Sequence, residues 1–369
     1  MSDTDITSSK IFSVWKVIIP ILIGLVVVGW LFWNDAKDEN IPEIIHSLNF
    51  DSRALTGLAF ILIAVFMREF GLTWRFRLLT NNELSWSAAL HVDMLCEFSS
   101  CVTPSAVGGS ALGMIFLNSK GIEFGRATTL MLVTIFLDEL FFVIFCPIIV
   151  LLSIHSPLFA LGNVGFSHGL QWTFWSVYLF LLLYTALLYA GIIWRPLWIQ
   201  KMIYRIFSWK WLRRWSERAN QLGANMVETS VSIRQHSGSF WIKAFAATSI
   251  SWTGRFLVVN AIFFALMNSA DSSQWLIFAR EFLIWVLLMV SPTPGGSGLS
   301  EWIFTTYYGD IVTVGGMVLI MAVIWRIFTY YIYLLSGAIF VPAWLKSYFK
   351  KSSSIGSVSK SGDLPSADN

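Results

Sequence analysis

Charge is scarce in this sequence. Only 13% of its 369 residues are Asp, Glu, Lys or Arg, where a soluble domain carries about a quarter. A disordered chain needs the opposite balance, so disorder over the whole length is excluded. Apolar residues reach 56%, above the usual range of about 45–50%, which excludes an ordinary soluble enzyme as well. Cysteine is nearly absent: Cys96, Cys101 and Cys146, with no CxxC pair. That excludes a disulfide scaffold, and the three read as small buried hydrophobes. There is no HExxH, no phosphate-binding Walker loop and no dinucleotide fingerprint, so nothing in the chain signals nucleotide-driven work. Net charge is only +3, from 25 basic and 22 acidic residues, too little to argue for nucleic acid. No cofactor and no metal are expected.

What the chain does have is long apolar runs. Six are long enough to cross a bilayer, at about 14–33, 52–72, 127–152, 171–194, 240–267 and 316–345. The first ends in Trp30, Phe32 and Trp33 with no small-residue cleavage site, so it reads as a retained anchor rather than a signal peptide. Two more apolar stretches, about 88–117 and 274–308, are interrupted in the middle. One break carries Thr103-Pro104, then Gly108 and Gly109. The other carries Thr293-Pro294-Gly295-Gly296-Ser297-Gly298. Proline removes an N–H and glycine loosens the backbone, so neither stretch forms one straight helix. About 40 residues are needed for two crossings, so each stretch is either a broken span or a hairpin that leaves on the side it entered.

The loops choose between these. Segment 195–218 holds Arg195, Lys201, Arg205, Lys210, Arg213, Arg214 and Arg218 against Glu217, and the tail adds Lys346, Lys350, Lys351 and Lys360. Both belong on the cytoplasmic side. Loop 34–53 is acidic and loop 153–170 carries no charge, as suits the outside. Re-entrant hairpins, the first flanked by a loop with Arg75 and Arg77 and a loop with Lys120 and Arg126, satisfy every loop. The aromatic and basic segment 195–218 reads as an interfacial helix. The expected fold is an all-α polytopic membrane protein: six full spans plus two re-entrant hairpins in an inverted-topology repeat. Repeat one covers about 52–152 and repeat two about 240–345, within a single transmembrane domain over 1–345, and 346–369 is a disordered cytoplasmic tail. Both termini are expected in the cytoplasm. Inverted repeats of this kind bring broken helices together near the midplane.

Ionisable groups inside a bilayer are costly, so each is a candidate for function. Arg326 and Arg255 can clamp a phosphate, because a guanidinium fork matches its oxygens. Glu301 and Asp138 can hold those arginines or meet a cationic headgroup. Asp93, Glu97, Glu139, Arg280 and Glu281 are further intramembrane charges. The Gly-rich turns expose N–H groups and dipole ends, and Thr103, Thr293 and Ser297 add hydroxyls. The alternative for every one of these residues is internal pairing that only fixes helix packing. A serine protease reading of Gly295-Gly296-Ser297-Gly298 has a single conceivable base, His91, and an oxygen-ligand metal site would draw on Asp93, Glu97, Asp138 and Glu139.

The run Pro294-Gly295-Gly296-Ser297-Gly298-Leu299-Ser300-Glu301, with Arg326 in the following span, resembles the lysylphosphatidylglycerol synthase transmembrane-region family. That family is the flippase-like half of the multiple-peptide-resistance proteins, with stand-alone relatives. The resemblance spans about 15–345. The first break departs from the family pattern, since Gly109 is followed by Ser110 and Ala111 rather than Glu. No soluble aminoacyl-transferase domain is seen. The resemblance implies a lipid flippase or transporter of the bacterial cytoplasmic membrane, not an enzyme. Membrane phospholipids are the expected partners, and a homo-oligomer is compatible with the chain. A non-transporting accessory or scaffold protein of a lipid or envelope pathway is the alternative.

Overall fold

The computed structural model describes residues 51–345, apart from 104–106, 161–163, 210–215, 268–272, 313–315 and the single positions 290, 292, 294, 297, 338 and 343. The expected first span, the acidic loop 34–50 and the tail 346–369 lie outside the described residues. Within them the chain is helical, with no strand. In order come α1 (Ser52–Leu79), α2 (Trp86–Val102), α3 (Val107–Ser119), α4 (Phe124–Leu152), α5 (Val164–Leu188), α6 (Pro196–Phe207), α7 (Ser216–Arg234), α8 (Gly238–Leu266), α9 (Gln274–Leu288), α10 (Leu299–Tyr308) and α11 (Met317–Arg326). Helix α5 continues through a wide turn at Tyr189–Trp194, and α11 through another at Ile327–Tyr331 and on to Pro342.

Five of these are long and apolar enough to cross a membrane: α1, α4, α5, α8 and α11 with their continuations. They coincide with the five expected spans that fall within the described residues. Backbone satisfaction inside lipid requires such helices. Their starts are local in origin. Asp51 Oδ1 accepts from the N–H groups of Arg53 and Ala54 at 3.0 and 2.9 Å, and Ser85 and Ser273 cap α2 and α9 in the same way.

Both interrupted stretches are helix, break, helix, and both double back. In the first, Gly109 on α3 lies so close to α2 that a Cβ would sit 1.9 Å from Ser100 Oγ. In the second, Tyr308 Oη donates to the carbonyl of Ile277 at 3.1 Å and Arg280 Nη1 to that of Tyr307 at 2.6 Å, tying the end of α10 to the start of α9. The second break turns on glycines with positive φ: Gly295 at 57°, Gly296 at 70° and Gly298 at 87°. Side chains other than glycine rarely adopt these angles.

The longest packing seam joins α1 to α8. A Cβ at Gly57 would meet Ala265, one at Gly254 the Ala64 carbonyl, and one at Gly71 the Ala247 carbonyl. Residue numbers rise on one helix as they fall on the other, so the pair is antiparallel. Small residues let the two backbones touch, which is how helices associate where no hydrophobic drive exists. Two apolar clusters flank this seam. One gathers α9, α10 and the later half of α4 around Phe141, Phe142 and Phe282. The other gathers α2, α3 and the early half of α4, with Tyr330 and Tyr333 from the last span.

One expectation is corrected here. Arg75 is not in a loop: α1 runs two turns past the expected end of its span, and Arg75 is buried inside it with 2% exposure. The short turn at 80–85 then holds Glu83, whose carboxylate takes both terminal nitrogens of Arg126 at 2.6 and 2.9 Å.

Candidate functional site

A cavity of about 240 Å³ lies between the two apolar clusters. Its walls come from both breaks and from four of the five spanning helices. Ser100, Cys101 and Gly109 flank the first break; Ser291, Thr293, Gly295 and Gly296 belong to the second. Helix α1 contributes Arg68 and Arg75, α4 contributes Asp138 and Glu139, α8 contributes Trp252 and Arg255, and the last span contributes Arg326, Thr329 and Tyr330. Asp93 and Glu97 on α2 and Trp285 on α9 complete the polar lining.

The four arginines are paired in three groups. In the first, Glu97 takes Arg68 Nη2 on one oxygen and Arg255 Nη2 on the other, the latter at 3.1 Å. Arg68 also lies 3.8 Å from the Tyr333 ring centroid, and Tyr333 Oη donates to Glu69 at 2.7 Å. The Arg255 guanidinium sits 4.7 Å from both the Trp252 and the Trp285 rings, a contact that is stronger when desolvated. In the second group, Asp138 Oδ1 accepts from Arg75 Nη1 at 2.6 Å and from Trp252 Nε1 at 2.9 Å. The third group lies at the second break. Arg326 Nε donates to Glu301 Oε1 at 2.8 Å, and both of its terminal nitrogens reach the Gly295 carbonyl at 3.2 Å. The other Glu301 oxygen accepts the Gly298 N–H at 2.7 Å and the Ser300 hydroxyl at 2.8 Å. Glu301 thus closes the start of α10 and orients Arg326 at once.

Of the residues singled out from sequence, the cavity brings together Asp93, Glu97, Gly109, Asp138, Glu139, Arg255, Thr293, Gly295, Gly296 and Arg326. Glu301 stands directly behind Arg326, and Gly298 caps α10. Thr103 lies at the end of α2 with its hydroxyl spent on the Ser99 carbonyl at 2.6 Å. Gly108 lies in α3. Pro294 and Ser297 are outside the described residues. Arg280 is elsewhere: it forms a bidentate pair with Asp310 at 2.5 and 2.7 Å and also holds the Pro157 carbonyl, at the far end of the second hairpin. His91 is also outside the cavity lining, with Nδ1 on the Ser87 carbonyl and its ring against Phe340. Among the described residues, no cluster of three His, Cys, Asp or Glu side chains could hold a metal ion.

Arg68, Arg75, Trp252, Tyr330 and Tyr333 were missed from sequence. A signal existed for most of them. Arg68 and Arg75 are seven apart, Trp252 precedes Arg255 by three, and Tyr330 comes four after Arg326, all same-face spacings on a helix.

No solved structure matches this chain. It is similar to a UPF0104 membrane protein of the archaeon Archaeoglobus fulgidus, 24% identical over 311 residues, which are 79% of this chain and 89% of that relative. A model of the lysylphosphatidylglycerol synthase TM region matches residues 17–337, which takes in both breaks, four of the five described spans whole, most of the fifth and the whole charged cavity. With buried arginines held between membrane-spanning helices and a match over nearly its full length, the chain belongs to the lysylphosphatidylglycerol synthase TM region family.

Proposed function

We propose that this protein is a lipid flippase of the cytoplasmic membrane, moving a phospholipid or lipid-linked headgroup between leaflets through the cavity, with no chemistry performed on the lipid. What carries the reading is the convergence of Arg68, Arg75, Arg255 and Arg326 from three spanning helices on the place where both helix breaks meet. A charged side chain inside a membrane span is expensive, and four in one cavity need a purpose beyond packing. The guanidinium forks of Arg326 and Arg255 suit a headgroup phosphate. Thr293 and Ser291, hydrogen-bonded to each other at 3.0 Å, add hydroxyl groups beside them. Glu301 holds Arg326 and Glu97, not the expected Asp138, holds Arg255 until the phosphate arrives; Asp138 holds Arg75.

We read the architecture as six spans, with 14–33 as the first, and two re-entrant hairpins in an inverted repeat. The antiparallel seam of α1 and α8 supports this, since those helices open the two repeats and an in-plane two-fold axis would relate them as antiparallel. The hairpins also pack crosswise: α9 on α4 through Phe282, and α2 on the last span through Phe98 against Gly337. A topology assay checks it. Single cysteines at Asn82, Lys120 and Lys201, all exposed, are expected to label from the cytoplasmic face, and one at His155 from the opposite face. Asn82 and Lys120 on opposite faces would make the first hairpin a crossing.

Flipping itself is tested by reconstitution. Vesicles carrying the protein should expose fluorescent phospholipid of the inner leaflet to dithionite, and protein-free vesicles should not. Mass spectrometry of co-purifying lipid would name the headgroup. A well-inserted protein that moves no phospholipid would point instead to an accessory role in a lipid or envelope pathway.

A further inference from the structure

Tyr330 is a single side chain that touches both breaks. It sits in the wide turn Ile327–Tyr331 directly after Arg326. Turns of this kind add a residue to the helix, rotate the next residues about its axis, and recur at functional positions. Here the rotation lays the ring over the second break, where a Cβ on Gly295 would lie 2.2 Å from Tyr330 Cε2. The Arg326 guanidinium lies 4.1 Å from the centroid of the same ring. The Tyr330 hydroxyl reaches the first break and donates to the carbonyl of Cys101 at 3.3 Å. Cys101 is in the last turn of α2, where helical carbonyls have no partner of their own. In return the Cys101 thiol donates to the Tyr330 carbonyl at 3.8 Å. All three residues are at most 5% exposed.

We propose that Tyr330 is a positioning residue that latches the first hairpin to the second and reports whether Arg326 is occupied. While Arg326 holds Glu301 and Gly295, its charge over the ring keeps Tyr330 in place. An anion that engages the fork draws the guanidinium off the ring and leaves the Tyr330–Cys101 latch to neutral hydrogen bonds, which are weak without it. The hairpins then part at Cys101. This rests on the headgroup reading only for the identity of the anion.

The test uses the full chain with Cys96→Ser and Cys146→Ser, so that Cys101 is its one thiol, and monitors maleimide labelling in detergent. Cys101 should label slowly in this parent. Tyr330→Phe should label about fivefold faster, the factor one net hydrogen bond contributes to a local opening equilibrium. Dihexanoyl phosphatidic acid should speed the parent towards the Tyr330→Phe rate and leave Arg326→Ala unmoved, a ligand response that a merely structural tyrosine would not give. Inorganic phosphate in a parallel arm separates recognition of the phosphate from recognition of the lipid. A Tyr330→Phe rate equal to the parent overturns the latch. A parent indifferent to both anions, beside a fast Tyr330→Phe, overturns the release step. If Tyr330→Phe does not run as a monodisperse species, Tyr330→Cys decides: oxidation should join it to Cys101, and the phospholipid should lower the yield. An unchanged yield overturns the proposal. Failure of the vesicle assay would sink the proposed function while leaving these labelling rates interpretable.

Discussion

Arg326→Ala and Glu301→Gln are each expected to abolish phospholipid flipping in proteoliposomes while the protein still inserts and elutes as one species. Arg326 is 5% exposed and Glu301 1%, so neither has water to fall back on. Glu301 uses one oxygen for Arg326 Nε and the other for the Gly298 N–H and the Ser300 hydroxyl. A glutamine keeps the shape but offers one acceptor oxygen instead of two, so either the arginine or the turn loses its partner. Breaking a buried pair in this way costs about 3–5 kcal/mol, mostly from the charge left behind. Arg326→Ala removes the fork and frees the Gly295 carbonyl. Arg326→Lys separates two meanings of that fork. An ammonium retains the charge but is a point donor, and it cannot face Glu301 and the Gly295 carbonyl, or two phosphate oxygens, in one plane. Arg326→Lys should therefore insert normally and fail to flip. If Arg326→Ala and Glu301→Gln insert and flip lipid at the parental rate, the pair is only structural and the phosphate assignment falls.

Glu301 was legible in the sequence because one short run carries it, and Arg326 because it is a lone charge in the span that follows. Gly295, Gly296 and Gly298 cluster where a helix must turn sharply, and Glu301 falls three residues after the last of them, where a carboxylate can reach back to the first free N–H. The spans were legible for an equally local reason, since hydropathy over 20 residues is a property of one segment. The rest of the cavity was not local. Arg75 sits next to Arg77 and reads as a loop charge, yet the helix runs past both. Arg75 turns inward to Asp138 and Thr248, while Arg77 packs over Trp86 at the turn. The seven-residue spacing puts Arg75 on the face of Arg68 and Arg77 off it, but only the packing of α1 on α8 fixes that this face is inside. For Tyr330 the spacing gives the face it shares with Arg326, but not that its hydroxyl reaches across to Cys101 beside the first break.

Glu97→Gln is expected to be the most destabilising single change in the cavity. This carboxylate is the shared partner of Arg68 on α1 and of Arg255 on α8. Without its charge two guanidiniums face each other across the α1 and α8 seam. Glu69, 3.7 Å from Arg68, compensates in part. Loss of the shared partner should cost about 3–5 kcal/mol, a fall of roughly 4–6 °C in the apparent Tm of a chain this size. Glu83→Gln is the control. It breaks the Arg126 pair, whose side chains are 28% and 48% exposed, and exposed pairs contribute about 1 kcal/mol or less. The loss at Glu97 should also be reversible by a ligand. Two guanidiniums that have lost their shared carboxylate in a desolvated cavity form an anion site, so Glu97→Gln should regain stability in neutral detergent doped with phosphatidylglycerol, and the parent should respond less. Binding to the folded state alone stabilises by mass action, so the recovery should grow with lipid concentration. A variant as stable as the parent would show that Glu97 does not hold α1 and α8 together. A destabilised variant that phosphatidylglycerol leaves unchanged would show that Arg68 and Arg255 do not accept a lipid phosphate.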